Sequence, residues 1–405
     1  MKHTRRLALV LLLWPWLASA AETETLKIRT ITAFVPLKAA TAEKIFRETA
    51  EFLRKAKSHY VAAGWEVQSL RLATPPMNDY LRDVPGADHL DFLLRLDLLA
   101  SELGLELSLG PAMTHEREDV ATEDLVVELL KRSRVANTSV NITPLLAGAP
   151  FRAAAIIKRL GEVPAPEPPS FRFAALAHCP PGIPFFPTAY ARGKRREFAL
   201  GLQSAGFLAQ SFGAGKKPSD RIQVRIQFTE HLRRLEGIAL AIAQEQQWHY
   251  LGIDVSPAPL GEASIGAVIE GLAGQAIGGP GTLDAVSTLT YLLQHEPVRH
   301  TGFSGLMLPV LEDTVLAARA AEGRLNLHTL LVYSAVSGTG LDVVPLPGDT
   351  SEEQIVRILD DVAALAHKLS KPLTARLLLV PGKRAGEMTE FNSPWLTNTR
   401  VLPIE

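Results

Sequence analysis

The sequence predicts an α/β fold built around a mostly parallel sheet. Three observations carry this expectation. Short runs rich in Val, Ile, Leu and Thr alternate with longer amphipathic stretches along the chain. Several of these short runs are apolar at every position, as strands are when helices cover both faces of a sheet. The composition, 47% hydrophobic and 21% charged over 405 residues, is that of a globular protein and excludes a disordered, collagen-like or coiled-coil chain.

The first twenty residues read as a processing signal. Lys2, Arg5 and Arg6 precede the apolar run 7–17, and Ala18-Ser19-Ala20 offers small residues for cleavage. The apolar run is too short to span a bilayer. The expectation is therefore a signal peptide at 1–20 and a single domain at 21–405, periplasmic or secreted and without a membrane anchor.

Strands are expected at 27–35, 66–72, 105–109, 138–142, 171–177, 198–203, 249–255, 332–336 and 375–380. Between the first two, Ala42, Ile45, Phe46, Thr49, Phe52, Leu53 and Ala56 recur at helical spacing. Ile355, Ile358, Leu359, Val362 and Leu365 do the same near the end, after Thr350 and Glu353 at capping-box spacing. A helix is expected at 283–293. The proline-rich stretch 161–170 reads as a stiff surface loop.

Charge and motif content exclude several functions. Lys plus Arg number 42 against 43 Asp plus Glu, so no basic surplus points to nucleic acid. One cysteine, Cys179, rules out an intrachain disulfide, a cysteine-based zinc site and an iron–sulfur cluster. No dinucleotide fingerprint is present, so NAD is not expected. Gly215-Lys216 lacks the other phosphate-loop positions, and Pro297 interrupts His295, Glu296 and His300, whose spacing is wrong for a zinc-protease helix. The basic run Arg192–Arg196 reads as a solvated loop.

Three glycine turns survive: 278–282, 301–305 and 337–340. Gly279, Gly281, Gly302, Gly305, Gly338 and Gly340 would let backbone amides approach an anion. Asp254 and Ser256 lie two apart at the end of an expected strand, and Ser139 and Asn141 repeat that pattern before Pro144. Asp342 follows the third glycine turn. Parallel strands bring their C-termini to one side, which would gather Asp254, Ser256, Asn141, Ser337 and Asp342 at one mouth, with Ser304 a further substrate-binding candidate. Asp254 and Asp342 would serve there as acid and base, or as oxygen ligands for Mg²⁺ or Ca²⁺, with Arg29 as counter-charge. Whether a metal is bound stays open.

The segments YLGIDVSPAP (250–259), TGFSGLMLPVLED (301–313), YSAVSGTGLDVVPLPGD (333–349) and CPPGIPFFP (179–187) resemble the bacterial and archaeal family called domain of unknown function 711. Matches run from IRTIT (28–32) to PGKRAGEMTEF (381–391). The resemblance implies a single closed barrel of about ten strands with helices outside, similar to that of pyruvate formate-lyase, and implies no activity. Members often carry cysteine at the position of Ser337, and some at that of Asn137. Glu262-Ala263-Ser264 stands where members often have Gly-Asp-Ser. With no paired cysteines and no radical loop near the C-terminus, glycyl-radical chemistry is not expected.

Three functional readings remain open. One is an exported enzyme doing non-radical acid–base or metal-assisted chemistry on a small polar or anionic substrate at the barrel mouth. Another is a periplasmic protein that binds a small-molecule ligand without turnover. The third is an assembly partner, such as a homo-oligomer, using the aromatic and proline-rich segment 183–190 as its interface.

Overall fold

The computed structural model describes residues 26–114, 121–143, 148–164, 166–212 and 218–404. The stretch 1–20, Pro144 and Gly215-Lys216 lie outside the described residues. Nine strands form one sheet: β1 (Lys27–Phe34), β2 (Val67–Ala73), β3 (Glu106–Met113), β4 (Ala136–Asn141), β5 (Phe173–Ala177), β6 (Glu197–Gln203), β7 (His249–Asp254), β8 (Gly340–Pro347) and β9 (Leu373–Val380). Their spatial order is β7-β6-β1-β2-β3-β4-β5-β9-β8.

The sheet departs from expectation in two ways. Strands β1 to β5 run parallel, but β1 pairs with β6 and β5 pairs with β9 antiparallel. These two joints reverse the outer strands, so their C-terminal ends face away from those of β1 to β5. Hydrogen bonding also leaves the sheet open, where a closed barrel of about ten strands was expected: β7 and β8 are its two edges. Between them runs the segment 299–310, which makes a single parallel bridge to each, Ile253 with His300 and Pro309 with Asp342.

Eight of the expected strands correspond to observed ones, and the error is informative. The apolar run 332–336 falls on the end of the helix Leu327–Ser334 and the turn after it. That helix is started by a reciprocal cap between Asn326 and Thr329. The true strand, β8, lies just downstream and contains Pro345 and Pro347. Prolines argue against an interior strand, but β8 is an edge, where a missing N–H is tolerated. The C-terminal helix Glu352–Leu369 uses the expected device shifted by one residue, with Ser351 and Gln354 forming the reciprocal cap.

The helix face of the sheet carries the main core. Leu70 and Leu72 of β2 and Leu373 and Ala375 of β9 pack there with Phe46, Leu53 and Ile355 from the covering helices. The opposite face is occupied by two chain segments. The stretch 179–191 lies across it, anchored by the Thr32 hydroxyl donating to Pro184 O (2.8 Å) and the Ser108 hydroxyl donating to Ala189 O (2.6 Å). The expected interface at 183–190 is thus mostly internal, with Ile183 and Phe185 packed against Phe303 and Met307.

Gly305 and Gly338 meet backbone to backbone: a Cβ on Gly338 would stand 2.7 Å from the Gly305 carbonyl carbon. The Gly338 amide donates to Leu306 O at 2.6 Å. Gly338→Ala is expected to destabilise the fold by roughly 2 kcal/mol or more, because backbone cannot move aside as a side chain can. A urea midpoint unchanged from that of the parent would contradict this packing.

Candidate functional site

The inner face of the sheet encloses a cavity of about 320 Å³. Its polar wall is written in alternate positions of strands. Ser69 and Arg71 of β2 and Thr374 and Arg376 of β9 face it, while their neighbours Leu70, Leu72, Leu373 and Ala375 face the helices. Arg29 of β1, Asn137 of β4 and Asp342 of β8 belong to the same wall, and Glu312 enters from the stretch between the edge strands. Glu106, Glu167, Arg134 and Arg172 add two further acids and two further bases to the lining. The apolar lining is Phe185, Phe186, Phe303, Met307 and Trp395.

The arginines divide into two kinds. Arg376 is saturated with acid: its Nη1 lies 2.9 Å from Asp342 and 3.5 Å from Glu312, and Nη2 donates to Phe171 O at 3.2 Å. Burial works against its charge, but the two carboxylates outweigh that and raise its pKa. Arg29 and Arg71 have no such partner within ion-pair distance among the described residues. Arg29 donates to the Gln68 amide oxygen (3.2 Å) and sits 5.4 Å from the Trp395 ring centre. Arg71 donates to the Ser69 hydroxyl (3.2 Å) and lies 4.9 Å from the Phe186 ring. Burial lowers the pKa of both, Arg29 lowers that of Arg71 further, and the Glu312 and Glu106 carboxylates oppose the shift in each without outweighing it. A guanidinium stays charged at neutral pH even so. Burial pushes the Glu312 carboxyl up; Arg376 opposes the shift and Asp342 adds to it.

The residues singled out from sequence do not gather at one mouth. Arg29 and Asp342 line the cavity. Asp254 lies elsewhere, fully buried at the end of β7, where it accepts from Ser256 N (3.1 Å), Ser256 Oγ (2.6 Å), Phe303 N (2.8 Å) and Ser304 N (2.9 Å). Burial raises its pKa, against the pull of these four donors. Such a carboxylate is a structural clamp: Oδ1 accepts three of the donors and Oδ2 the fourth, and Asp254 lines neither pocket. Ser256 accepts in turn from Gly305 N at 3.1 Å, and the Ser304 hydroxyl donates to Thr301 O at 2.9 Å. Asn141 accepts from the amide and hydroxyl of Thr143, closing the turn after β4. Ser337 lines a separate, smaller pocket.

The expected anion loops are used by the fold itself. Gly302 (φ 67°) leaves room for Asp254, whose Oδ2 would stand 2.0 Å from a Cβ there. Gly305 and Gly338 pack on each other, and Gly340 lets β8 approach Thr374 O. Gly279 and Gly281 shape the turn into the helix Thr282–Gln294 and line neither pocket. The gathering at one mouth fails for two reasons. The antiparallel joints turn the end of β7 away from the end of β4, and Asp254 ends β7 whereas Asp342 lies near the start of β8, which runs in the same direction.

Sequence reasoning missed Arg71, Arg376 and Glu312. The available signal was an arginine and a small hydroxyl residue two apart inside an otherwise apolar strand, as in Ser69-Leu70-Arg71-Leu72 and Thr374-Ala375-Arg376-Leu377. Glu312 adjoins Asp313, and the pair splits by direction. Asp313 caps two helices, accepting from Ile265 N (2.7 Å) and Leu316 N (3.0 Å) among others. Glu312 turns into the cavity. Among the described residues, no group of three or more His, Cys, Asp and Glu is placed to hold a metal ion.

Residues 20–392 match the family described as Uncharacterised ACR (DUF711). The chain belongs to that family. Similar members of DUF711 include a UPF0210 protein of Pyrobaculum islandicum, 27% identical over 91% of this chain and 86% of its own. Another, from Pyrobaculum aerophilum, is 30% identical over 80% of this chain and 76% of its own. A third, from Syntrophobacter fumaroxidans, is 26% identical over 91% and 88%. These relatives overturn the expectation of an exported acid–base enzyme. They are UPF0210 proteins of archaea and bacteria whose names specify neither export nor activity, and that reading is withdrawn. Among the described residues no helix is long and apolar enough to cross a membrane.

Asp254→Asn replaces an acceptor oxygen with a donor facing backbone amides. It is expected to cost roughly 3 kcal/mol of stability, as for other buried charges stripped of their hydrogen bonds. A variant of normal melting temperature would contradict the clamp.

Proposed function

We propose that this protein binds a small organic anion, a carboxylate or phosphate joined to an apolar or aromatic body, inside the arginine cavity. The observation that carries this reading is the asymmetry among the three arginines. Arg376 already holds two carboxylates, while Arg29 and Arg71 face the same space with only neutral hydrogen-bond partners. Glu312 and Glu106 offset part of the repulsion between the two guanidinium groups without pairing with either, and a ligand oxyanion would relieve the rest while accepting charge-assisted hydrogen bonds. The aromatic lining supplies the apolar contact, and the cavity volume suits a metabolite-sized molecule. The segment 299–310, bridged once to each edge strand, serves in this reading as the seam that makes the open sheet a barrel-like enclosure.

Calorimetric titration with a panel of carboxylates and phosphates tests the reading. Binding should weaken tenfold to a hundredfold in Arg71→Met, the range for losing one or two charge-assisted hydrogen bonds. A panel with no binder, or a binder indifferent to Arg71 and Arg29, would contradict it.

Glu312 gives the site a pH dependence with a defined sign. Its carboxyl titrates above the usual range, so falling pH neutralises it and makes the cavity more positive. Anion affinity should therefore rise as pH falls through the raised titration of Glu312, for a ligand that does not itself titrate, such as a sulfonate. Glu312→Gln should flatten that profile and bind most like the parent at the acid end of it. Affinity that instead falls with acidification would show that Glu312 does not oppose the ligand.

A further inference from the structure

A second pocket, of about 210 Å³, lies behind Phe303, whose side chain lines both it and the arginine cavity. Its polar lining comes from Thr290 and Gln294 on one helix, Ser337 in the turn before β8, and Lys371 before β9; no carboxylate lines it. Ser337 is fully buried, and its hydroxyl has no hydrogen-bond partner among the described residues. An orphan hydroxyl in a protein interior is costly and marks a place where something else completes the bonding.

Lys371 supplies the second observation. Its Nζ donates to Ser334 O (2.8 Å) and Ala335 O (3.3 Å), the carbonyls at the end of the helix Leu327–Ser334. Capping that helix end accounts for two of the three ammonium protons. The third has no partner, and no ion pair to Lys371 exists among the described residues. A capping lysine alone would also leave the Ser337 hydroxyl unexplained.

We propose that this pocket is a second site, separate from the arginine cavity, for a small oxyanion of carboxylate or inorganic phosphate type. The Lys371 ammonium supplies its counter-charge and the Ser337 hydroxyl donates to it. The two groups differ from the arginine pair in one measurable way. Burial, with no neighbouring acid to offset it, lowers the Lys371 pKa to about 8. This pocket therefore loses its charge in mild alkali.

The experiment is thermal melting of the full chain carrying Arg71→Met, titrated with inorganic phosphate and, in a second arm, with acetate at constant ionic strength. Saturable stabilisation by at least one of them is expected at pH 7.0. Its apparent affinity should fall about thirtyfold at pH 9.5, the loss expected when a group with pKa near 8 is mostly deprotonated. For phosphate this runs against the ligand's own gain in charge. Lys371→Arg should retain binding at pH 9.5, and Ser337→Ala should weaken binding at pH 7.0 about twofold to tenfold. Should Lys371→Arg not fold, Ser337→Ala, which removes one oxygen, decides. The proposal is overturned if neither anion stabilises the protein at pH 7.0. It is equally overturned if the stabilisation is indifferent to both pH and Ser337→Ala. Because Arg71 is absent throughout, either failure leaves the reading of the arginine cavity untouched.

Discussion

The Asp254 carboxylate is the constraint from which the rest of the interior follows. Four donors converge on it from the end of β7 and from residues 303 and 304. That convergence fixes the segment 299–310 against one sheet edge, and the glycine at 302 makes the approach possible. The same segment reaches the opposite edge at Pro309 and delivers Glu312 beside Arg376 three residues later. Phe303, whose amide Asp254 holds, becomes the wall shared by the two pockets. A buried carboxylate left without these donors would be strongly unfavourable, so segment and strand end stand or fall together.

The charges inside the sheet follow a related logic. Ion pairs in an interior contribute little net stability once desolvation is counted, and unpaired charges cost more. Arg376 meets that constraint with Asp342 and Glu312, and its guanidinium also lies 4.7 Å from the Phe171 ring. Arg29 and Arg71 meet it only in part, through neutral acceptors and aromatic faces. Strain of this kind, kept in place by a sheet that could as easily have carried leucine there, is characteristic of sites that wait for a ligand.

Much of the fold was legible in the sequence, because hydrophobic period and turn chemistry are local. Eight strands and the long amphipathic helices show in such patterns, and even the missed strand β8 has a local cause in its two prolines. The polarity of the outer strands was not legible. Antiparallel joints between β1 and β6 and between β5 and β9 are long-range pairings, and nothing within the strands themselves announces them. That reversal turns the end of β7 away from the end of β4, but Asp254 and Asp342 part for a second reason. Strands β7 and β8 run the same way, and the strand expected at 332–336 is helix and turn, so Asp342 opens β8 instead of following a strand end. Asp254 and Asp342 both stand where strand and turn meet, yet one ends its strand and the other begins its own. Arg71 and Arg376 were readable as charges recurring on one face of apolar strands, a pattern weaker to the eye than a glycine-rich turn but closer to the chemistry.

The central claim is that Arg29 and Arg71 jointly hold an anion. The most direct measurement is a crystal structure of the protein grown with a bound carboxylate or phosphate ligand from a binding screen. The oxyanion is expected between the two guanidinium groups, within hydrogen-bond distance of both, with its apolar body against Phe186 and Trp395. A ligand found elsewhere, with only ordered water between Arg29 and Arg71, would contradict the account.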